Sequence, residues 1–397
     1  MNLSALKSPQ YRLYLVGNVF GMNANWILRL VIGWLAWDLT ESAGFVGLVS
    51  FLAFSPVLLG GPVFGVITDR VDVKRAAVLV QVAVAALSLL MLAVLLADVI
   101  SPLFLAIYAF VLGIVLSAYQ PVRLSLGPRL VRPERIASVV SIGALNFNIS
   151  RLTGPAVGGA LVAQFGAAAA IAVACVLYVP FLVILSRLQP RDKLSAPAHL
   201  PMWGAFKQGL AFIAAHRVVR IAFVVTGLFS MVVRAPTEIL PIIADGVFAK
   251  GPAGLGALAA AAGAGAMVAS FIQVVVPPAA MGRVPVRGLV ATVAGAAMAL
   301  VLGVSTNWPL TVAMVAGIGF ASTMVGVNFQ SSVQMQLDDH IRGRVMSLWM
   351  TAAVGGTALG ALALGGLIEW LGLPLALGGV GGASLLVFLV ITPRFRR

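Results

Sequence analysis

Long apolar runs, separated by short polar or Pro/Gly-rich breaks, recur along the chain from Leu13 to Ile391. Each run is about 20 residues long, the length that an α-helix needs to cross a bilayer core about 30 Å thick. The runs are continuous rather than alternating, and backbone polar groups inside lipid must be paired within the protein, so helices are the expected spanning form. The pattern predicts twelve spans, over residues 13–37, 44–67, 76–97, 102–126, 137–163, 169–187, 221–244, 253–276, 289–305, 309–335, 345–368 and 374–391.

The longest polar stretch, from Leu188 to Arg220, separates the sixth predicted span from the seventh and contains three prolines. We expect it to join two bundles of six helices. The first bundle is predicted over 1–187, the cytoplasmic linker over 188–220 and the second bundle over 221–397. The predicted fold class is therefore an all-α membrane protein.

A weak internal repeat relates the two predicted bundles. Features of spans 5 and 11 recur 207 residues apart: Arg135 with Arg342, and the glycine pair 158–159 with the pair 365–366. Arg29 in span 1 and Arg234 in span 7 each lie 17 residues after another arginine, which predicts similar depths for the two. Many transporters build a central site from repeated halves, so the repeat predicts pseudo-symmetric bundles around such a site.

Composition removes most soluble classes of protein. The chain of 397 residues is 61% hydrophobic and 10% charged, and its mean hydropathy is +1.06. Its net charge of +14 comes mainly from loops. Of 26 Lys and Arg residues, four lie in the interior of spans, Arg187 is the last residue of one, and Lys250 lies in an outer loop. The rest fall on one side, which the positive-inside rule makes the cytoplasm, with both termini there. A nucleic-acid partner is not expected, because the sequence has no basic domain with aromatic platforms.

The loop between spans 2 and 3 carries the first candidate gating residues. Gly65 allows close approach of neighbouring helices, and Asp69 can accept hydrogen bonds from a facing helix N-terminus or pair with an arginine. Arg70 and Arg75 follow closely in the sequence. Such a contact would clasp the cytoplasmic side shut in one state and release it in the other. The alternative is that the segment is only a solvated basic loop.

Span 5 carries a second gating candidate, the sequence GPAVGG over residues 154–159. Glycines form a groove for close backbone packing, and a proline frees a carbonyl group and bends the helix. We expect Gly154, Pro155, Gly158 and Gly159 to lie where the two bundles meet. Ordinary packing of small residues within one bundle is the alternative.

These two motifs resemble the helix 2–3 signature and the exporter-associated helix 5 motif of the major facilitator superfamily. The stretches 121–140 and 328–347 resemble the bacterial branch that contains the enterobactin exporter and macrolide efflux proteins. The resemblance implies a twelve-helix exporter of the bacterial inner membrane, with Asp339 and Arg342 among its gating residues. Three positions depart from the motifs: Asp72 and Ser150 stand where glycine is usual, and Val73 stands where a basic residue is usual.

Charged residues inside spans are the remaining candidates for a binding site, because each is costly in lipid and normally faces a wet cavity or the bundle interior. The resemblance implies that spans 1, 4, 7 and 10 line the cavity. Arginine binds carboxylates and phosphates bidentately, so an arginine-rich cavity predicts an anionic, amphipathic substrate. Alternatively, the arginines hold the bundles together through carbonyl groups and amide side chains. The candidate binding residues are Arg29, Arg123, Arg151 and Arg234, with Asn25, Asn328 and Gln330 as polar lining.

Glu238 is the only carboxylate within a predicted span, four residues after Arg234. Proton-driven transport needs a side chain whose charge changes between the two states of the cavity. Burial favours the neutral acid form of Glu238, whereas the positive charge of Arg234 favours the ionised form. Glu238 is therefore the candidate proton-coupling residue, and Asp38 at the end of span 1 is the second candidate. The alternative is that Glu238 lies near the outer surface and only pairs with Arg234.

The leading hypothesis is export of a small amphipathic molecule, such as a siderophore-like compound or a drug, by alternating access. An importer of the same superfamily stays open, since the motifs bias direction without dictating it. A membrane-embedded enzyme or a receptor is the rival class, but His199, His216 and His340 fall in cytoplasmic segments and the sequence has no metal-ligand spacing or phosphate loop. We predict a monomer without enzymatic activity, cofactor or metal, whose partners are the substrate, the lipid bilayer and protons.

Overall fold

The computed structural model describes residues 3–70, 72–191, 202–275 and 284–396. Within these ranges all regular secondary structure is helical, and no β-strand is present. The prediction of an all-α protein is confirmed.

The helices follow the apolar runs. In the first half of the chain, up to residue 191, they are α1 (Pro9–Asp38), α2 (Ala43–Arg70), α3 (Val73–Leu96), α4 (Pro102–Leu126) and α5 (Ile136–Arg187). In the second half, from residue 202, they are α6 (Met202–Ala215), α7 (Arg217–Phe229), α8 (Gly251–Val275), α9 (Val286–Val304), α10 (Trp308–Gln334), α11 (Asp339–Leu371) and α12 (Leu373–Arg396). Short 3-10 turns lie at Ser4–Lys7, Gly127–Leu130 and Pro133–Arg135.

Helix α5 combines the fifth and sixth predicted spans. It contains 52 residues. A straight helix of that length would measure about 78 Å at 1.5 Å per residue, more than twice the thickness of a bilayer core. The helix is broken at Gly166, whose φ of +85° is a conformation that favours glycine. The break yields segments 136–165 and 167–187, which agree with the predicted spans 137–163 and 169–187.

Ten helices of the described residues are long and apolar enough to cross a membrane, which indicates a multi-pass membrane protein. One of the ten contains both segments of α5. The described apolar part of α2, Ala43–Leu58, is shorter than a full span. The exact number of twelve spans stays a prediction.

Several helix starts are fixed by side chains that accept hydrogen bonds from free backbone N–H groups. Ser8 caps α1 and Ser101 caps α4, each with a proline in the first turn, and Asn307 caps α10. Asp72 caps α3 by accepting a 2.7 Å hydrogen bond from the backbone N–H of Arg75. The departure of Asp72 from the usual glycine therefore has a structural reason, since its carboxylate fixes the start of α3.

Helix α6 lies inside the polar stretch that was predicted as a linker, where the apolar pattern indicated no helix. Only His216 separates it from α7. Residues 192–201, which include Asp192 and Lys193, lie outside the described ranges. The division of the chain into two bundles and a linker stays a prediction.

The helices pack mainly within their own half, and the main contacts between the halves join α2 to α11 and α5 to α8. Both contacts depend on glycine. A Cβ atom on Gly365 of α11 would lie 3.0 Å from the Cα atom of Gly47, and one on Gly159 of α5 would lie 2.6 Å from the Cα atom of Gly256. Backbones approach this closely where small residues face each other. Since the repeat relates spans 5 and 11, the two contacts are pseudo-symmetric equivalents.

Substitution of Gly365 should destabilise the protein, whereas the same substitution at the adjacent Gly366 should not. A Cβ atom at Gly365 would lie 2.5 Å from the carbonyl oxygen of Ala43, and one at Gly366 would have no heavy atom of a described residue within 4 Å. We expect Gly365→Ala to cost about 1–3 kcal/mol through overpacking, and Gly366→Ala to be neutral or slightly stabilising through helix propensity. Thermal unfolding of both purified variants in one detergent measures the difference. Equal unfolding midpoints would contradict the close contact.

Candidate functional site

An ion pair joins the two halves of the protein. Nη2 of Arg29 in α1 lies 2.6 Å from Oε2 of Glu238, and 39% of the arginine side chain and 12% of the glutamate side chain are exposed. The Arg29 guanidinium also lies 4.4 Å from the ring centroid of Phe54 in α2 and 5.4 Å from that of Trp26. The carboxylate and the two ring faces together stabilise a cation that would be costly in lipid alone.

Glu238 is positioned by irregular backbone. Beyond α7 the chain forms a π-turn (Ser230–Arg234), a 3-10 turn (Ala235–Glu238) and a second π-turn (Ile242–Val247). Pro236 and Pro241 lack the backbone N–H that a regular helix needs, which explains why α7 does not continue. Such π-turns are frequent at functional sites. Arg234 and Glu238 are therefore not joined by a regular α-helical turn, and Glu238 pairs with Arg29 instead.

Two further arginines lie within electrostatic reach of the ion pair: Arg151 on α5 and Arg234 on the first π-turn. Both are half-buried. Within the described parts of the chain, neither guanidinium group forms a hydrogen bond or an ion pair. The negative charge of the Glu238 carboxylate attracts the guanidinium groups of Arg29, Arg151 and Arg234, and it already forms an ion pair with that of Arg29. The region between the halves therefore carries an excess of positive charge, to which each half contributes.

The predicted amide residues contact other parts of the protein. Oδ1 of Asn25 accepts a 2.7 Å hydrogen bond from the hydroxyl group of Tyr178 in the second segment of α5. Nδ2 of Asn328 donates a 2.8 Å hydrogen bond to the carbonyl oxygen of Met324 on its own helix. Gln330 is half-buried on α10. These hydrogen bonds of Asn25 and Asn328 stabilise the packing of helices, and among the described residues neither asparagine bonds to Arg151 or Arg234.

Arg123 lies inside the first half. Its Nη1 atom is 3.7 Å from the sulfur of Met22, and its guanidinium is 5.9 Å from the ring centroid of Phe147. Together with Tyr14 and Tyr119 it lines a cavity of about 10 Å³, which has room for about one water molecule. These surroundings favour the structural interpretation of Arg123 over substrate binding.

A chain of side-chain hydrogen bonds joins α1 to the first segment of α5. Asn146 donates a 2.8 Å hydrogen bond to Asn18 and accepts one of 3.4 Å from the Ser150 hydroxyl group. That hydroxyl group accepts a 3.2 Å hydrogen bond from Asn23. Oδ1 of Asn23 in turn accepts a 2.7 Å hydrogen bond from the hydroxyl group of Thr153. Ser150 is fully buried. Its hydroxyl bridges two asparagines, which explains why this position is not the usual glycine. The chain of bonds fixes the part of α5 that carries Arg151.

Carboxylates of the second half bind donors of the first half at the outer end, by which we mean the end where α1 finishes and α8 begins. Nε1 of Trp37 donates a 2.9 Å hydrogen bond to Oδ2 of Asp245. Oε2 of Glu369 accepts from the backbone N–H of Gly44 over 3.0 Å and from the hydroxyl group of Ser42 over 3.1 Å. The two glycine contacts between the halves lie near the same end. The outer end is therefore closed by both polar and backbone contacts.

The exposure of α1, and of α7 with the turns after it, differs between the two ends. In α1, Val16 and other residues near the N-terminus are exposed, but no residue from 21 to 36 is. In the second half, Leu228 and other residues of α7 are exposed, but no residue from 232 to 244 is. Both helices are thus enclosed toward the outer end and exposed toward the opposite end.

The predicted glycine motif of α5 lies at the boundary between the halves. A Cβ atom on Gly154 would lie 2.5 Å from Cβ of Trp26, so Gly154 packs against α1, as does Gly158. Gly159 and the carbonyl group of Pro155 face α8. The motif therefore holds α1 on one side and the second half on the other.

The structure leaves the predicted cytoplasmic clasp untested. The side chains of four predicted gating residues lie outside the described part: Gly65, Asp69, Arg70 and Asp339. Arg75 is exposed on α3, and Arg342 donates a 3.2 Å hydrogen bond to the carbonyl oxygen of Leu337. Asp38, the second coupling candidate, is exposed at the outer end of α1.

Sequence reasoning missed the carboxylates that close the outer end and the aromatic rings beside Arg29. Asp245 and Glu369 each lie one residue beyond a predicted span. An acidic residue directly after an apolar run is the signal that would have found them. Trp26 and Phe54 carry no comparable signal, because an aromatic residue within an apolar helix is ordinary packing.

An all-helical membrane protein whose two repeated halves meet at a group of charged side chains is typical of secondary transporters. The family model described as transmembrane secretion effector matches residues 1–396. The chain belongs to this family of the major facilitator superfamily, as the sequence motifs predicted.

Individual relatives agree with this assignment. The chain is 26% identical to the enterobactin exporter EntS of Shigella boydii serotype 4, over 98% of this chain and 93% of the exporter. Its fold is similar to that of a variant of the nucleoside transporter NupG, with a TM-score of 0.72, 11% identity and coverage of 96% of this chain and 99% of the other. The human organic anion transporter MFSD10 gives a TM-score of 0.63 at 16% identity, with coverage of 96% and 99%. The solved structures show the fold alone.

Removal of the charge on Glu238 should loosen the outer end. Glu238→Gln leaves Arg29 without its anionic partner, and a lost charge-assisted hydrogen bond costs about 1.5–3 kcal/mol, less where the group is partly exposed. We expect labelling from outside to accelerate about three- to tenfold at a cysteine introduced at Gly33. That position faces Pro241 at 3.7 Å and has room for a Cβ atom.

A membrane-impermeant maleimide and a Cys175→Ser background make the labelling specific. Glu134→Gln is the matched control, because Glu134 is an exposed glutamate at the opposite end. If Glu238→Gln and Glu134→Gln label at the same rate, the ion pair does not hold the outer end closed.

Proposed function

We propose that the protein exports a small amphipathic, anionic molecule across the bacterial inner membrane by alternating access, coupled to protons. Membership of the transmembrane secretion effector family and the likeness to an enterobactin exporter support export rather than import. In this proposal the two bundles, 1–187 and 221–397, move relative to each other as a monomer, with both termini in the cytoplasm.

The observation that carries the anionic substrate is the pair of arginines without a partner. Arg151 belongs to the first half and Arg234 to the second, and neither forms an ion pair within the described residues. Two guanidinium groups that repel each other in a low-dielectric region are stabilised by an anion that bonds to both. A carboxylate, sulfonate or phosphate group suits the planar fork of arginine. A lipophilic cation would increase the repulsion.

Alternating access is supported by the asymmetry of exposure. In this proposal a substrate would reach Arg151 and Arg234 from the cytoplasm, on the side where α1 and α7 are exposed. Release outward requires the contacts of Glu238, Asp245 and Glu369 to part and the glycine contacts to separate. The proposed clasp around Asp69, Arg70 and Arg75, with Asp339 and Arg342, would then close the cytoplasmic side.

Proton coupling is assigned to Glu238. Its carboxylate binds Arg29 of the opposite half in the outward-closed state. Protonation would remove the charge that holds this bond, because a neutral acid attracts a guanidinium far less than a carboxylate does. Each proton that binds Glu238 would thereby favour opening of the outer end.

The function is tested by comparing the export of metabolites from cells with and without the protein. We expect an anionic, amphipathic metabolite to accumulate inside cells that lack it and in the medium of cells that overproduce it. Accumulation of cationic compounds alone would overturn the anionic substrate, and uptake instead of release would overturn export.

Loss of either unpartnered arginine should weaken the binding of anions. We expect Arg151→Ala and Arg234→Ala each to weaken binding by about 1.5–3 kcal/mol, roughly ten- to hundredfold, if a charge-assisted bond is lost. Thermal shifts of purified protein with aromatic carboxylates, sulfonates and phosphates measure the effect, and cationic dyes provide the comparison.

Arg132→Ala is the control for this experiment, since Arg132 is an exposed arginine directly before the 3-10 turn Pro133–Arg135. It should bind the anions as the parent does. Unchanged anion binding in both Arg151→Ala and Arg234→Ala would mean that these arginines are structural.

Transport driven by a pH gradient should depend on Glu238. In proteoliposomes with an imposed gradient, we expect Glu238→Gln to lose the stimulation that the parent shows, because glutamine cannot bind and release a proton. Asp38→Asn should keep it, since Asp38 is exposed beyond the enclosed part of α1. Stimulation that persists in Glu238→Gln and disappears in Asp38→Asn would move the coupling role to Asp38.

A further inference from the structure

Helix α6 has one face packed against α11 and another whose side chains are partly exposed. On the packed face, a Cβ atom at Gly209 would lie 2.8 Å from Cδ1 of Leu348 in α11, and Gln208 accepts a hydrogen bond from Arg344 of the same helix. The ring of Phe212 is half-buried and stacks on His216 at a centroid distance of 3.8 Å. Helix α6 is thus held firmly to the start of α11.

The open face of α6 is apolar. Phe206 is 38% exposed and Leu210 is 46% exposed. Four residues apart on a helix, the two side chains lie next to each other and form a stripe. An apolar stripe in water would be unfavourable, since each large apolar side chain gains free energy when it is removed from water.

The surroundings of the stripe are basic. The segment 202–220 contains no Asp or Glu, and its cations are Lys207, Arg217 and Arg220. All three are exposed. A surface with an apolar stripe and cations beside it complements the acyl chains and anionic headgroups of a lipid leaflet.

The position of α6 in the chain brings it to the membrane surface. Only His216 separates it from α7, which together with the turns after it forms a candidate span over Arg217–Glu238. A helix joined by one residue to a spanning segment cannot lie far from the headgroup region. The cations that surround it are those which the positive-inside rule assigns to the cytoplasmic side.

We propose that α6 is an interfacial helix whose stripe of Phe206 and Leu210 inserts into the inner leaflet, and whose neighbouring cations bind anionic phospholipid headgroups. Since α6 connects the two halves and is fixed to α11, lipid binding anchors the connection at a defined depth. The movement of the second half is thereby coupled to the composition of the leaflet.

Spin labels on the full chain in nanodiscs test the insertion. Single cysteines replace Leu210 or Phe206 on a Cys175→Ser background, and Ala215→Cys is the control, because Ala215 is exposed on another face of the same helix. In nanodiscs of phosphatidylglycerol and phosphatidylcholine, we expect labels at 206 and 210 to collide with oxygen at least threefold more than with the water-soluble nickel chelate NiEDDA. The label at 215 should show the reverse order.

Two results would overturn insertion. Equal access of NiEDDA to positions 210 and 215 would mean that the stripe lies in water. Protection of position 210 from both reagents would mean that protein, such as a second copy of the chain, covers the stripe. Two independent labelling positions keep the test valid if one variant folds poorly.

A second comparison tests the anionic headgroups. We expect access of NiEDDA to position 210 to rise at least twofold in nanodiscs of phosphatidylcholine alone, and to rise similarly when Lys207→Glu is added in the mixed lipid. Lys207→Glu in phosphatidylcholine should add little, because the anionic partner is then absent. If lipid charge and Lys207→Glu both leave the accessibility unchanged, the headgroup part of the proposal is wrong.

Discussion

The cost of charge inside a bilayer is the constraint on which the arrangement of this protein depends. An isolated guanidinium in lipid is unfavourable by several kcal/mol, so each arginine within the helices needs water, a ring face or an anion. Arg29 has a carboxylate and two aromatic rings, and Arg123 has a ring and a sulfur atom beside it. Among the described residues, the half-buried Arg151 and Arg234 have no such neighbour, and their charges repel each other. This difference, rather than the presence of arginine as such, separates structural arginines from candidates for binding.

The helices could be predicted from the sequence because lipid demands one kind of order, the continuous apolar run. Even the break at Gly166 agrees with a gap between two predicted spans. Helix α6 could not be found in this way, since its 14 residues are too few to cross a bilayer core, and the search was for runs of spanning length. It forms because it packs against α11 through Gly209, a contact between residues far apart in the chain that no local pattern indicates.

The site was less predictable, since the sequence gives the depth of a residue more readily than the direction in which it points. A helix that is apolar on all sides offers no periodicity to orient a polar residue. Asn25 therefore looked like cavity lining, but it bonds to Tyr178 within the first half. Glu238 was expected near Arg234 on an assumed regular helix. Pro236 and the π-turn before it change the local geometry, so the carboxylate meets Arg29 of the other half.

At the outer end, the backbone contacts between the halves occur in pairs that correspond to each other through the internal repeat, but the polar contacts do not. Gly47 with Gly365 and Gly159 with Gly256 are equivalent pairs. In contrast, Glu238, Asp245 and Glu369 all come from the second half, and all accept hydrogen bonds from groups of the first half: the Arg29 guanidinium, the Trp37 indole, and the Ser42 hydroxyl with the Gly44 N–H.

Glycine contacts are insensitive to charge, so they close the outer end without depending on protons. The three carboxylates accept these hydrogen bonds while they are ionised, or as neutral acids only when the carbonyl oxygen faces the donor. All three belong to the second half of the chain. The repeated scaffold thus supplies the symmetric backbone contacts, and the divergence of one half supplies the carboxylates on which the proposed response to protons depends.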